Sequence, residues 1–231
     1  MNKAILSGKY PQYAAALQER GYRTIPTETV DEFIPYERDH ADMQCLILDD
    51  TAFILSCCEP LADALEEEYR VVRCGENIAG KYPSNVTLNA LALGKKLIAR
   101  FDSLDRKVLE CSLESGYELI NVRQGYAKCS CAVVDDNAII TADRGIYHSL
   151  REYKIDVLLI EEGRVRLEGA QYGFIGGASG YDQRNNTLYL SGNIAYYPDC
   201  ERIKGFCREH QTKIVSLTDD ELTDIGGILF C

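Results

Sequence analysis

The side chains with reactive or charged chemistry are spread unevenly along this chain. Ten cysteines stand at positions 45, 57, 58, 74, 111, 129, 131, 200, 207 and 231. Most sit inside apolar stretches, where an unpaired Cys behaves as a small hydrophobe. There is no CxxC pair, and Cys129-Ser-Cys131 has neither a second pair nor a nearby His, so the spacing does not make a zinc site. Glu37-Arg-Asp39-His40-Ala-Asp42 collects a histidine and three carboxylates just before an apolar run. It reads either as a solvated loop or as the lining of a site, because loops that enter an inner strand are where function concentrates. The glycine-rich run Gly173 to Gly180 lacks the Gly-Lys-Ser/Thr and the following helix of a phosphate loop. Its glycines, at a strand start, suit close backbone approach. His148 and His210 fall on expected outer helices, and Glu66-Glu-Glu68 is a solubilising charge run.

The elements that position these residues repeat. An apolar strand, a tight polar turn, a second strand ending in a small polar residue, a helix and a third strand recur five times. Cys131-Ala-Val-Val-Asp135-Asp136-Asn-Ala-Ile-Ile-Thr141 nearly duplicates Cys45 to Ser56. The second-strand ends Ser7, Ser56, Arg100, Thr141 and Ser191 are 49, 44, 41 and 50 residues apart. A period in the 40s signals a propeller or a solenoid. One helix per unit argues against all-β blades, and a repeat split between the two ends argues against an open solenoid with caps. Repeats span residues 40–77, 84–122, 126–160, 174–217, and 224–231 joined to 1–26, within one domain of residues 1–231. The fold class is therefore α/β: a five-bladed ring of ββαβ units, closed by pairing Lys3–Ser7 with Ile225–Cys231. Turns at Asp49-Asp50, Gly94-Lys95, Asp135-Asp136 and Asn185-Asn186 have hairpin chemistry. The Ser, Thr or Asp after each second strand is placed to cap the next helix.

Composition bounds the partners. The formal charge of −11 disfavours nucleic acid and anionic membranes. No apolar run approaches the roughly 20 residues needed to span a bilayer, and the N-terminus shows no leader pattern. A soluble, cytoplasmic chain with reduced thiols is expected.

A closed pseudo-fivefold ring of ββαβ units, with Gly226-Gly227 shortly before Cys231, resembles the pentein fold of the guanidino-group modifying enzymes. It is also similar to an uncharacterised bacterial family with that fold. The resemblance implies arginine deiminase-, amidinotransferase- or dimethylarginine hydrolase-like chemistry with no cofactor. In such chemistry a Cys thiolate attacks the guanidinium carbon, a His moves protons and carboxylates hold the cation. Cys231 then takes the nucleophile's place, and His40-Ala-Asp42 matches the family's His-x-Asp.

The chain departs from the family pattern in two ways. Three residues, Ile228 to Phe230, separate the glycine pair from Cys231 where the enzymes commonly have two, and one extra strand residue turns a side chain to the other face. The His-x-Asp also stands in a different repeat, and Tyr126-Ala-Lys128 occupies the enzymes' position. The resemblance places a small-molecule pocket on the axis where the first strands begin, lined by His40, Asp42, Asn85, Lys128, Ser179 and Asp224, with Asp39 beside them. Asp42 and Asp224 would hold a cationic group and Lys128 a carboxylate, which suits an amino-acid-like ligand. Two readings stay open: a Cys231/His40 hydrolase or transferase, and a non-catalytic pentein binding a small ligand or a protein.

Overall fold

The computed structural model describes residues 2–76, 78 and 80–231; Met1 and the expected repeat limit at Asn77 lie outside the described residues. In chain order the elements are β1 (Lys3–Ser7), α1 (Pro11–Gln18), β2 (Arg23–Thr27), α2 (Ala41–Gln44), β3 (Cys45–Leu48), β4 (Thr51–Leu55), α3 (Glu59–Leu65), β5 (Arg70–Cys74), β6 (Leu91–Leu93), β7 (Lys96–Ala99), α4 (Arg106–Glu114), β8 (Glu118–Asn121), β9 (Cys131–Asp135), β10 (Ala138–Thr141), α5 (Arg144–Arg151), β11 (Asp156–Leu159), β12 (Ser179–Asp182), β13 (Thr187–Leu190), α6 (Cys200–Glu209), β14 (Lys213–Ser216) and β15 (Leu229–Phe230). They form five three-stranded sheets: β3-β4-β5, β6-β7-β8, β9-β10-β11, β12-β13-β14 and β15-β1-β2, called blades 1 to 5 below. In each blade the first strand is antiparallel to the second and the second parallel to the third. This is the five-bladed α/β architecture expected from the repeats.

Each middle strand is buried on both faces. Thr51–Leu55 and Ala138–Thr141 have no exposed residue, which is why these segments read as continuous apolar runs instead of alternating. The burying surfaces come from neighbouring blades. Leu91, Leu93 and Ile98 of blade 2 pack with Ile139, Ile146 and Val157 of blade 3, and Ala4, Leu6 and Leu17 of blade 5 pack with Tyr189 and Leu217 of blade 4. The core is thus a set of layers between blades. First strands of adjacent blades touch around the axis, β9 with β6 and β12, and β12 with β15, while α1, α4, α5 and α6 lie against the outer third strands. Asp49, Gly94 and Asn186 take positive φ in the hairpin turns, as their chemistry demands.

The closing blade differs from expectation in extent. Ala4 pairs with Phe230 and Ile5 with Leu229, and Lys3 and Cys231 exchange backbone hydrogen bonds of 2.8 and 3.0 Å. Ile225 to Ile228 do not pair with β1. Gly226 and Gly227 have φ of 76° and 75°, outside the strand region. The Ile225 and Gly227 amides both donate to the Gly177 carbonyl, and the Ile228 amide donates to Ser179. The expected first strands from Val86 and Phe174 likewise begin only at Leu91 and Ser179. His40-Ala-Asp42 does not start a strand either: His40 is the N-cap of the single helical turn α2. Side-chain capping holds at Asp105 and Asp143, which accept from the Lys107 and Ile146 amides. The turns before α1, α3 and α6 have no side-chain cap.

Candidate functional site

A cavity of about 820 Å³ runs along the axis between the first strands. Its lining includes the hairpin-turn residues Asp49, Lys95, Asp136 and Arg184 and, at the inner end, Asp42 and Lys128. It therefore opens at the turn end of the ring, where the first strands finish. Of the residues expected to line the pocket, Asp42 and Lys128 line this cavity with Cys231, while His40, Asn85, Ser179 and Asp224 lie at the start of the first strands, behind its inner end.

Asp42 is held on every side but one. Its amide donates to Gly226 O at 2.9 Å, its carbonyl accepts from Asn89 Nδ2 at 3.1 Å, and its Oδ2 accepts from the Cys129 thiol at 3.1 Å. Its Oδ1 is buried and, among the described residues, has no partner. Burial pushes the Asp42 carboxyl up to about 6, against the pull of Lys128 and His40 and with the push of Asp224. Lys128 Nζ donates to Gly176 O at 3.1 Å and retains two further N–H donors. A side chain at Gly227 would lie 3.3 Å from Lys128 Nζ and 3.4 Å from Asp42 Oδ2, so the bare Gly227 backbone is the wall both groups lie against.

Asn89 organises this centre. Besides its bond to Asp42 O, its Oδ1 accepts from the Lys128 and Cys129 amides at 2.9 and 3.3 Å. Neither Asn89 nor Cys129 was anticipated as part of a site. The signal for Asn89 was a lone amide interrupting the apolar run Val86-Thr-Leu-Asn-Ala-Leu-Ala-Leu, since a buried polar side chain must find partners.

The remaining predicted residues are engaged elsewhere. Asp224 accepts from the Phe174 and Gly226 amides at 2.8 and 3.0 Å, and its carboxylate fills the space a side chain would need at Gly173 and Gly177. His40 Nδ1 stands 3.9 Å from Asp224 Oδ1, beyond hydrogen-bond range. Asp39 accepts from the Ser7 hydroxyl, and the Ser179 hydroxyl donates to Gly176 O at 3.3 Å. Asn85 Nδ2 donates to Glu37 Oε2 at 2.9 Å and to Tyr126 Oη at 2.8 Å, and Tyr126 in turn donates to Glu37 Oε1 at 2.9 Å. Tyr126 was also missed, whereas Glu37 belongs to the stretch read either as a solvated loop or as a site lining. Burial raises the Glu37 carboxyl, opposed by those two hydrogen bonds.

Cys231 lies in an apolar surround that includes Cys45 and Tyr69. Burial pushes its thiol up to about 11, against the opposing charges of Lys3 and Arg184. His40 packs on Gly226, five residues upstream, and among the described residues no hydrogen bond or ion pair joins it to Cys231. Burial also drives the Cys129 thiol well above its usual range, and the Asp42 carboxylate adds to the shift. Both thiols are thus held in the protonated form, which is the poor nucleophile. Among the described residues, no group of three or more His, Cys, Asp or Glu side chains is placed to hold a metal ion, and no helix is long and apolar enough to cross a membrane.

Comparison with known proteins agrees with the fold. A model of a family of unknown function, DUF6873, matches residues 5–229. No curated protein matches the sequence. Among solved structures, DDAH from Pseudomonas aeruginosa, in complex with citrulline, superposes with a TM-score of 0.63 at 11% identity, covering 100% of this chain and 98% of that one. Agmatine deiminase from C. jejuni gives 0.53 at 10% identity over 94% and 86% of the two chains. Inosamine-phosphate amidinotransferase from Streptomyces griseus gives 0.50 at 12% identity over 93% and 75%. All three have the pentein fold, and at this identity the likeness is one of fold.

Proposed function

The chain belongs to the family of unknown function DUF6873, and we propose that it is a pentein that binds a small amino-acid-like ligand in its axial cavity without thiolate catalysis. One observation carries this reading: the unpartnered, buried Oδ1 of Asp42 at the inner end of a cavity also lined by Lys128. A buried carboxylate oxygen without a donor is costly, and a cationic group of a ligand would supply the missing donor. Lys128, with donors to spare, would take the ligand's carboxylate. Asp49, Asp135 and Asp136 line the cavity together with Lys95, Lys96 and Arg184, a mixed-charge approach that favours a zwitterion over a simple anion.

A second reading, a hydrolase or transferase using Cys231 and His40, is favoured by one fact: Cys231 lines the same cavity. Its raised thiol and its separation from His40 weigh against it.

Calorimetric titration with a panel of amino acids and guanidino compounds tests the proposal. Saturable binding by a ligand carrying both charges, weakened about tenfold or more in Lys128→Met through loss of a charge-assisted hydrogen bond, is expected. Turnover of a bound guanidino compound that is abolished in Cys231→Ser would favour the second reading.

A further inference from the structure

A second cavity, of about 200 Å³, lies off the axis between blade 3 and the connector that leads to blade 4. Ser130, only 2% exposed, is part of its lining. The backbone of Ser130 is fully used: its amide donates to Tyr126 O at 2.9 Å and its carbonyl accepts from Thr141 Oγ1 at 2.8 Å. Among the described residues its hydroxyl has no partner. The other polar groups nearby are committed. Gln124 donates to Asp143 Oδ2 at 2.7 Å and accepts from the Tyr126 amide at 3.1 Å, while Asp143 Oδ1 caps α5 by accepting from the Ile146 amide at 2.8 Å. Among the described residues, the Ser130 hydroxyl is the polar side-chain group of this lining left without a hydrogen bond.

Charge and shape narrow what would fill it. Asp143 and Glu162 bring two carboxylates to the lining. The cation at the rim, Arg164, is engaged by Glu161 through Nε at 2.9 Å and Nη2 at 2.5 Å. Tyr172 donates to Glu162 and occupies only one of that carboxylate's oxygens. The uncompensated charge is therefore negative. Phe174 and Tyr172 are also part of the lining, and aromatic rings favour cations.

We propose that this off-axis cavity is a second binding site, for a small aliphatic ammonium whose N–H reaches Ser130 Oγ and whose charge is met by Asp143 and Glu162. An apolar stem of a few carbons would lie against Phe174. An ammonium has three donors and no acceptor, and it suits a pocket whose open groups are a hydroxyl and carboxylate oxygens. A carboxylate ligand would meet like charge, and a neutral alcohol would leave the two carboxylates uncompensated. The site is independent of the axial one: it shares no lining residue with the axial cavity, so it stands or falls separately from the reading above.

The test is calorimetric titration of the full chain with n-butylammonium, with n-butanol and butyrate as neutral and anionic comparators. Saturable binding of n-butylammonium is expected, with at least tenfold weaker binding of both comparators. Ser130→Ala should weaken it about tenfold, the worth of a hydrogen bond to a charged group, and Glu162→Gln should weaken it and flatten its salt dependence. Thermal unfolding of Ser130→Ala separates loss of the site from loss of the fold, and Glu162→Gln, at an exposed position, provides a second variant. Equal binding of butanol, no saturable binding, or binding kept in Ser130→Ala would overturn the proposal.

Discussion

Asp42→Asn should stabilise the protein at pH 8 and remove its ligand. The carboxyl is 1% exposed and is raised from 3.8 to about 6 by burial, with Lys128 and His40 offsetting part of the effect. The folded chain thus binds this proton more tightly than the unfolded chain does. The stabilising contribution is complete below about pH 4 and is lost as pH rises through 6, so that above 6 an ionised Asp42 costs about 3 kcal/mol relative to a neutral side chain. Asparagine is neutral at all these values and keeps an oxygen to accept from the Cys129 thiol. Urea unfolding at pH 8 should show Asp42→Asn more stable by about 2–3 kcal/mol, and at pH 5, where the folded wild-type carboxyl is mostly protonated, the gain should fall by about half. A variant equally or less stable at pH 8 would refute the reasoning that Asp42 is held there at an energetic cost, and with it the inference that the carboxylate serves a ligand.

Three further outcomes follow from the packing. Gly226→Ala should cost about 3 kcal/mol in urea unfolding, combining a left-handed backbone position with overlap onto His40; a loss under 1 kcal/mol would mean that His40 is not seated on Gly226. Deleting the first eight residues removes the middle strand of blade 5, and cooperative unfolding should disappear; an unchanged Tm would contradict closure of the ring by β1 and β15. Brief alkylation of the native protein at pH 7.5, mapped by mass spectrometry, should label the exposed Cys57 well before Cys231, whose thiol is raised to about 11; preferential labelling of Cys231 would restore the thiolate reading.

The ring was legible because its signals are local. Hairpin turns such as Asp49-Asp50 and Asn185-Asn186 and apolar second strands such as Thr51 to Leu55 specify each blade without long-range information. The split fifth blade is legible because Ile225-Gly-Gly repeats Ile175-Gly-Gly of the fourth. The starts of the first strands were less legible. Gly226 and Gly227 read as strand residues until their positive φ and the shared Gly177 acceptor are seen, and Ala41 to Gln44 form a helical turn where a strand was expected. Asp42 and Lys128 were anticipated together, through the family resemblance. Asn89 and Tyr126 were not, because each side chain acts through partners 39 or more residues away, and nothing in a single sequence marks which buried amide meets which carboxylate.

The most direct test of ligand binding through an ionised Asp42 is the affinity of the tightest-binding zwitterion of the panel at pH 8 and at pH 5. With the carboxyl at about 6, roughly one molecule in ten is ionised at pH 5, so the Kd should rise about tenfold between the two. A Kd equal at both values, or no saturable binding at pH 8 by any member of the panel, would contradict it.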